Sequence, residues 1–220
     1  MEQALDEFAS GSEAFYKELA SYKTFIQGVI TEFFDTGIEQ DLLDAVAEHD
    51  DPRFNYELVK RLITMSLDRR NRERELVSQL LVTLHARKYI TSEDIEDGFS
   101  GVFEQISDLQ LDCPQATRFV ANFLARAITD ECLAPRCLSR GAFMEAGGSV
   151  VQEARTLLSM THGASRIEHV WGSGGFTVKE LKKAIKDLIR EYIISEDIAE
   201  AAQCIRDLDS PNFHHEASRF

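Results

Sequence analysis

The chain has few cysteines, few basic residues and no long apolar run, and each absence excludes a class of protein. Four unevenly spaced cysteines in 220 residues do not form the dense framework of a disulfide-stapled domain. No apolar stretch is long enough to span a bilayer, and the acidic amino terminus does not read as a secretory leader. The sequence contains no Asn-x-Ser/Thr acceptor motif for N-glycosylation. We therefore expect a reducing compartment, the cytoplasm and also the nucleus.

Basic residues are outnumbered, with 24 Lys and Arg against 38 Asp and Glu and a formal net charge of −14. Residues 1–57 carry 14 acidic residues and only three basic ones. This charge argues against nonspecific binding to nucleic acid or to an anionic membrane, because both would repel the chain. It fits a protein partner with a basic face. A hydrophobic content of 44% that includes 14 Phe is sufficient for a packed core.

One segment occurs twice, at residues 22–57 and 181–216, and the two copies align without a gap. Lys23, Ile26, Ile30 and Glu32 match Lys182, Ile185, Ile189 and Glu191, and the Pro-x-Phe of the first copy returns at 211–213. An apolar stripe at helical spacing, an acidic second helix and this punctuation recur together. That combination is typical of a helical repeat protein.

Almost every segment has helical periodicity, and no stretch alternates long enough to indicate a sheet. Short connections favour antiparallel helical hairpins. Six helices are expected before Leu138: the first is lined by Ile26, Val29, Ile30, Phe33 and Phe34 and ends near Gly37, and the second spans Ile38 to His49. The third is lined by Leu58, Leu62 and Met65, and the fourth by Leu76, Val77, Leu80, Leu81 and Leu84. The fifth opens at the capping stretch Thr91 to Asp94 and runs through Ile106, and the sixth opens at Asp112-Cys113-Pro114 and buries Phe119, Val120, Phe123, Leu124, Ala127 and Ile128.

The pattern weakens after Leu138. Glycines mark residues 139–148 as a linker, a short amphipathic helix is expected from Val150 to Met160, and HGASRIEHVWGSGGF is expected to be a loop. Its Trp171, the single Trp of the chain, is expected to clamp onto a neighbouring domain, since burial is the usual reason for an aromatic residue. The second repeat then supplies two helices that cannot bury their own apolar faces. They would dock on the first domain, pair with another molecule or, as we favour, begin a truncated second domain.

The first domain resembles the MI (MA-3) domain family, whose members have a HEAT-like helical fold. The matching stretches are ITEFFDTG, NRERELVSQLLVTL, DIEDGF, DLQLDCP and FVANFLARAITDECL, followed by ARTLLSM, VWGSGG and IREYIISEDIAEAAQCIRDL. The resemblance implies an all-α, HEAT-like stack of antiparallel helical hairpins. It divides the chain into an acidic leader (1–18), an MI domain (19–137), a linker with a short helix and the WGSGG loop (138–176), and the first two helices of a second, truncated MI domain (177–220).

The resemblance also implies a function. Such domains bind the DEAD-box RNA helicase of translation initiation, initiation factor 4A, and inhibitory members hold it away from its RNA-bound closed form. Four acidic residues match the positions through which members of the family contact the helicase: Glu32, Asp68, Asp108 and Asp112. A desolvated carboxylate paired with a partner cation typically costs about 2–5 kcal/mol when truncated. For Asp112 a second interpretation is a helix N-cap with Pro114 in the first turn, which is compatible with binding. The other three carboxylates are equally well explained as merely solvated.

The expected family pattern is incomplete at two places. Ile38 stands where relatives usually carry Asp after Gly, and Asn55-Tyr56 stands where His-His is frequent. Both departures concern helix entries more than the proposed binding face. The second repeat keeps Asp197 and His214-His215.

The remaining motifs give weaker evidence for a function. Cys132 and Cys137 have no second pair that would complete a zinc site, and His214-His215-Glu216 favours packing or capping. Gly172 to Gly175 lacks the strand and the Lys-Ser/Thr of a phosphate-binding loop. The basic cluster 69–74 is interleaved with Glu and favours a solvated face over RNA binding or a nuclear import signal. No catalytic arrangement appears, so we expect no enzyme, no cofactor and no metal.

The sequence therefore predicts an adaptor that binds initiation factor 4A and regulates, most simply inhibits, cap-dependent translation. The alternative is a multi-domain translation scaffold that recruits other proteins without inhibiting the helicase. Nucleic-acid binding is expected to be weak or absent, no membrane is implied, and self-association through the truncated second repeat stays open.

Overall fold

The fold, known from a computed structural model, is described for residues 2–160 and 163–171 and for four isolated positions, 186, 189, 190 and 192. The described part is helical and contains no strand. Its helices are α1 (Glu2–Thr36), α2 (Glu39–His49), α3 (Asn55–Ser66), α4 (Asn71–Ala86), α5 (Ser92–Phe103), α6 (Ile106–Asp112), α7 (Ala116–Thr129), α8 (Gly141–Ser159) and α9 (Gly163–Glu168), with 3₁₀ turns at Pro52–Phe54 and Pro135–Ser139. The predicted all-α, HEAT-like class is confirmed.

The apolar stripe of the first repeat faces the core as predicted. Ile26, Ile30, Phe33 and Phe34 are buried along α1. The helix ends before Gly37, which has a φ of +71° and whose N–H donates to the carbonyl oxygen of Phe33 at 2.8 Å. A left-handed residue directly after the last turn is the common glycine stop for a helix. The acidic leader is part of the same helix, since α1 begins at Glu2.

The predicted cap at Thr91 is confirmed. The backbone N–H of Asp94 donates to Thr91 Oγ1 at 3.1 Å, and the N–H of Thr91 donates to Asp94 Oδ2 at 2.8 Å. Each side chain satisfies a backbone donor that the helix leaves unpaired, which fixes the start of α5. The short link from α4 is thereby held in one geometry.

Two helices organise the core. Helix α3 packs against α1, α4 and α5, and α7 packs against α4, α6, α8 and α9. The contact of α3 with α5 is close because Gly98 of α5 lies against Val59, where an added Cβ would stand 2.6 Å from the valine side chain. Large side chains that are completely buried in this core are Phe54, Phe99, Phe123, Leu58, Leu62, Ile63 and Leu80.

The prediction of a linker over residues 139–148 is wrong. These residues end a 3₁₀ turn and form the first half of α8, and Phe143 is buried with its ring centre 5.1 Å from that of Phe103. Glycine at 147 reflects packing rather than an open linker, because a Cβ there would meet the ring of Phe103 at 2.9 Å. Gly148, with a φ of +42°, kinks the helix. The predicted helix from Val150 to Met160 is the second half of α8.

The predicted loop from His162 is also partly wrong, because α9 occupies Gly163–Glu168. The predicted clamp is confirmed: Trp171 is only 1% exposed. Trp171 packs on α7 through Phe123, whose ring centre lies 4.6 Å away. Apart from positions 186, 189, 190 and 192, the second repeat lies outside the described residues, including Cys204, His214 and His215, as does the glycine loop after Trp171. Among the described helices, none is long and apolar enough to cross a lipid bilayer.

Candidate functional site

The candidate site is a groove of about 270 Å³ between the turn that follows α3 and the end of α6. The turn brings Asp68 to one wall and α6 brings Asp112 to the other, so the structure places two of the four predicted carboxylates at one groove. The remaining lining residues are Thr64, Met65, Leu67, Arg69, Leu109 and Cys113. The base is therefore mostly apolar and the rim is charged.

Helix α6 holds the second wall. Its first turn is closed by the N–H of Leu109, which donates to the carbonyl oxygen of Gln105 at 2.9 Å. Its end is closed by the N–H of Cys113, which donates to the carbonyl oxygen of Leu109 at 2.9 Å. The thiol of Cys113 then donates to the carbonyl oxygen of Leu67 at 3.6 Å, a weak contact that ties α6 to the turn after α3.

Asp112 does not cap α7, so that interpretation was wrong. Asp112 is the last residue of α6, and α7 begins after Gln115, whose side chain makes no capping hydrogen bond. Cys113 adopts an extended conformation, which the following Pro114 favours, and this ends α6. A carboxylate at a helix C-terminus faces the negative end of the helix dipole, which is locally unfavourable by a few tenths of a kcal/mol, roughly. Local stability therefore does not explain Asp112.

Asp108 lies on the same helix as Asp112 but is not one of the residues that line the groove. It lies four residues before Asp112 on α6, a spacing that puts both side chains on one face of a helix. Both are exposed, as is Asp68. Among the described residues none of these three carboxylates has a salt bridge, whereas Glu57, Glu75 and Asp130 are all paired with arginines. These three carboxylates consequently lack a direct ion pair, although Arg69 also lines the groove and Arg74 attracts Asp68 at longer range.

Glu32 lies elsewhere. It is exposed on α1 and lines a separate, open groove together with Thr24, Gln27, Gly28, Thr31, Asp35 and Thr36. The end of α1 does approach the turn after α3, because the guanidinium carbon of Arg69 lies 5.8 Å from the ring centre of Phe34. The structure thus brings Asp68 and Asp112 together at one groove, with Asp108 next to Asp112 on α6, and leaves Glu32 on a neighbouring surface.

Arg74 lies beneath the groove and was not singled out as a functional residue. Its guanidinium donates to the carbonyl oxygens of Leu67 at 3.1 Å and of Arg69 at 2.6 Å, so it holds the turn that carries Asp68. It is only 6% exposed, and burial lowers the pKa of its guanidinium. Its Nε has no hydrogen-bond partner within the described part of the chain. Arg74 therefore supports the groove from the inside rather than contacting a ligand.

Aromatic rings cover the other side of Arg74. Its guanidinium carbon lies 3.8 Å from the ring centre of Phe119 and 5.6 Å from that of Trp171. Trp171 Nε1 donates to Ser78 Oγ at 2.9 Å. The clamp of Trp171 and the turn that forms the groove consequently share one buried arginine. The sequence offered one signal for this, a charged residue on the apolar side of α4.

The basic cluster 69–74 is divided by the fold. Arg69, Arg70 and Arg72 are exposed, but Arg74 points inward and Glu73 pairs with Arg72 at 3.2 Å. Three exposed arginines beside an acidic groove do not make a continuous basic surface. Groups of three or more His, Cys, Asp or Glu that would hold a metal ion are absent from the residues that the structure describes.

Cys132 and Cys137 are buried, and burial raises the pKa of both thiols, that of Cys132 to about 11. Both thiols are therefore held in the protonated, unreactive form at neutral pH. They act as small apolar residues of the core.

Comparison with known proteins identifies the same scaffold. The model of the MA3 domain matches residues 22–134 and 181–219. The chain is 38% identical over 204 residues to MA3 domain-containing translation regulatory factor 1 of Arabidopsis thaliana, covering 90% of the chain and 29% of that protein. It is 30% identical over 201 residues to programmed cell death protein 4 of Gallus gallus, covering 89% of the chain and 43% of that protein. The chain thus spans less than half the length of these relatives.

Proposed function

Because the chain belongs to the MA3 domain family, we propose that it regulates translation by binding initiation factor 4A, the DEAD-box RNA helicase of translation initiation. Relatives named as translation regulatory factors support the regulatory role. The binding role is that of an adaptor rather than an enzyme. The observation that carries the proposal is the groove lined by Asp68 and Asp112, with Asp108 one turn before Asp112 on α6; all three are exposed and have no salt bridge among the described residues.

Electrostatics makes a helicase a suitable partner. A protein that binds RNA presents basic residues to the phosphates, and an acidic rim is complementary to such a surface. The chain carries a formal net charge of −14, so long-range attraction also increases the rate of encounter. The same charge disfavours RNA as a ligand of this chain.

We test the groove with Asp112→Lys and measure affinity for purified initiation factor 4A by isothermal titration calorimetry. Removing a carboxylate from a desolvated charge pair costs about 2–5 kcal/mol, and reversal adds repulsion, so binding should weaken at least about 30-fold. Circular dichroism should show unchanged helical content, since Asp112 is exposed and caps no helix.

The matched control is Asp97→Lys, which makes the same charge change on the exposed face of α5. Asp97 lies towards Tyr56 at the beginning of α3, whereas the groove lies at the end of α3. Wild-type affinity in the control and loss in Asp112→Lys would support the groove. Equal affinity in all three proteins would exclude it. Glu32→Lys, measured beside them, reports whether the neighbouring surface of α1 also takes part.

We further propose that binding inhibits the helicase. We also propose that the protein acts in the cytoplasm, with the nucleus as a second compartment. An assay of RNA-stimulated ATP hydrolysis separates this from the scaffold alternative. An inhibitor lowers the turnover of the helicase as the chain is titrated in, whereas a scaffold binds and leaves turnover unchanged. No change in turnover at saturating chain would reject inhibition while keeping the binding proposal.

A further inference from the structure

Leu111 is the most exposed large apolar side chain among the described residues, at 82%. It lies on α6, a seven-residue helix that has no buried residue of its own. Its side chain therefore contributes almost nothing to the core. A single exposed leucine is ordinary on a protein surface, so its surroundings decide whether it has a role.

Leu111 does not itself line the candidate groove, but the next residue, Asp112, does. Leu111 directly precedes Asp112 in the chain and lies three residues after Asp108, a spacing that places Asp108 and Leu111 side by side on a helix. Leu109, which lines the groove together with Met65, is two positions from Leu111, so the two leucines point to different sides of α6. An exposed apolar side chain thus lies beside the groove, next to two exposed carboxylates of the same helix. The buried centre of a protein interface is apolar and its rim is polar, and this arrangement matches that pattern.

We propose that Leu111 is the apolar anchor of the interface with the helicase, and that the partner presents an apolar depression bordered by Lys or Arg side chains. The inference rests on the proposed function and names what the partner must offer at that same site. The carboxylates around the leucine select a cationic border. A second copy of this chain is disfavoured as the occupant, because it would bring a like formal charge of −14 to the same rim.

The test compares Leu111→Ser, the conservative Leu111→Met and the control Met144→Ser in titrations of the 220-residue chain with purified initiation factor 4A. Met144 is also an exposed apolar residue, at 41%, but it lies on α8. Leu111→Ser should weaken binding about tenfold or more, as loss of an interface anchor does. Leu111→Met should restore most of the affinity, and Met144→Ser should bind as wild type. The melting temperature of Leu111→Ser should not fall, since the side chain is already in water.

The dependence of affinity on salt concentration distinguishes the role of Leu111 from that of the neighbouring carboxylates. Leu111→Ser removes no charge, so its loss of affinity should be the same in dilute and in concentrated salt. The loss in Asp112→Lys should shrink as salt screens the partner's cations. If the effect of Leu111→Ser vanished at high salt, the leucine would act only through the electrostatics of its neighbours, and the anchor would be rejected.

The remaining outcomes are equally decisive. Wild-type affinity in Leu111→Ser together with lost affinity in Asp112→Lys would overturn the anchor and leave the proposed function standing. If the wild-type chain itself did not bind, the proposed function and the anchor would fall together. If wild type sedimented as a dimer that Leu111→Ser converted to monomer, the leucine would serve self-association and the anchor would be rejected.

Discussion

The burial of Trp171 gives a prediction whose magnitude follows from the structure. The indole is 1% exposed, lies 4.6 Å from the ring centre of Phe123 and donates to Ser78 Oγ. Truncating a buried Trp or Phe to alanine costs about 3–5 kcal/mol of unfolding free energy. We expect about 3 kcal/mol for Trp171→Ala, the lower end of that range.

Trp171→Phe separates the ring from its hydrogen bond. The phenyl ring keeps most contacts with Phe123 and loses the N–H donor, which is worth about 1 kcal/mol. Ser78 is not left without a partner, because its hydroxyl also donates to the carbonyl oxygen of Arg74 at 3.1 Å. The expected order of stability is therefore wild type, then Trp171→Phe, then Trp171→Ala, in steps of roughly 1 and 2 kcal/mol.

Urea unfolding followed by far-ultraviolet circular dichroism measures these differences. The wild-type chain offers a second signal, because Trp171 is its single Trp and its fluorescence should report an apolar environment that urea removes. Trypsin should cleave after Arg166, an exposed residue of α9, faster in Trp171→Ala than in wild type. A destabilisation below about 0.5 kcal/mol, or the emission of a solvated indole in the native chain, would refute the clamp.

Two further predictions concern packing and pH. Gly98→Ala should lower the free energy of unfolding by about 1–2 kcal/mol, because the added Cβ would overlap Val59, whereas Gly28→Ala in α1, where a Cβ meets nothing within 4 Å, should raise it by about 0.5–1 kcal/mol. Urea unfolding of both variants measures these changes, and a stabilised Gly98→Ala would contradict the close packing of α3 and α5. Burial raises the pKa of Cys132 to about 11 from its ordinary value of 9.0, so the unfolded chain loses this proton first and the stability of the fold should decrease as the pH rises from 9.0 towards 11. Thermal melts of Cys132→Ala should show a smaller decrease in stability over that range. An identical decrease in the variant and the wild type would contradict the raised pKa.

Local sequence signals predicted the regular part of the fold. The stripe of α1, its stop before Gly37 and the cap of α5 all depend on residues within a few positions of one another, so the sequence carries them openly. The glycines at 147 and 148 misled the prediction, because they weaken helix propensity while tertiary contact with Phe103 still favours a helix.

The site was predicted less completely. The family resemblance pointed to Asp68, Asp108 and Asp112, but no local pattern showed that Asp112 ends a helix instead of capping one. Helix α6 has seven residues and no buried face, so it leaves no apolar periodicity to detect. The roles of Leu111 and Arg74 depend on exposure and on contacts across the fold. Only the three-dimensional arrangement provides those.

Amide hydrogen exchange of the chain with and without purified initiation factor 4A tests the central claim most directly. We predict slower exchange on binding at residues 64–69 and 106–113, the two walls of the groove, and unchanged exchange along α5. Protection confined to α2, α5 or α8, or no protection at saturating helicase, would contradict the assignment of the acidic groove as the binding site.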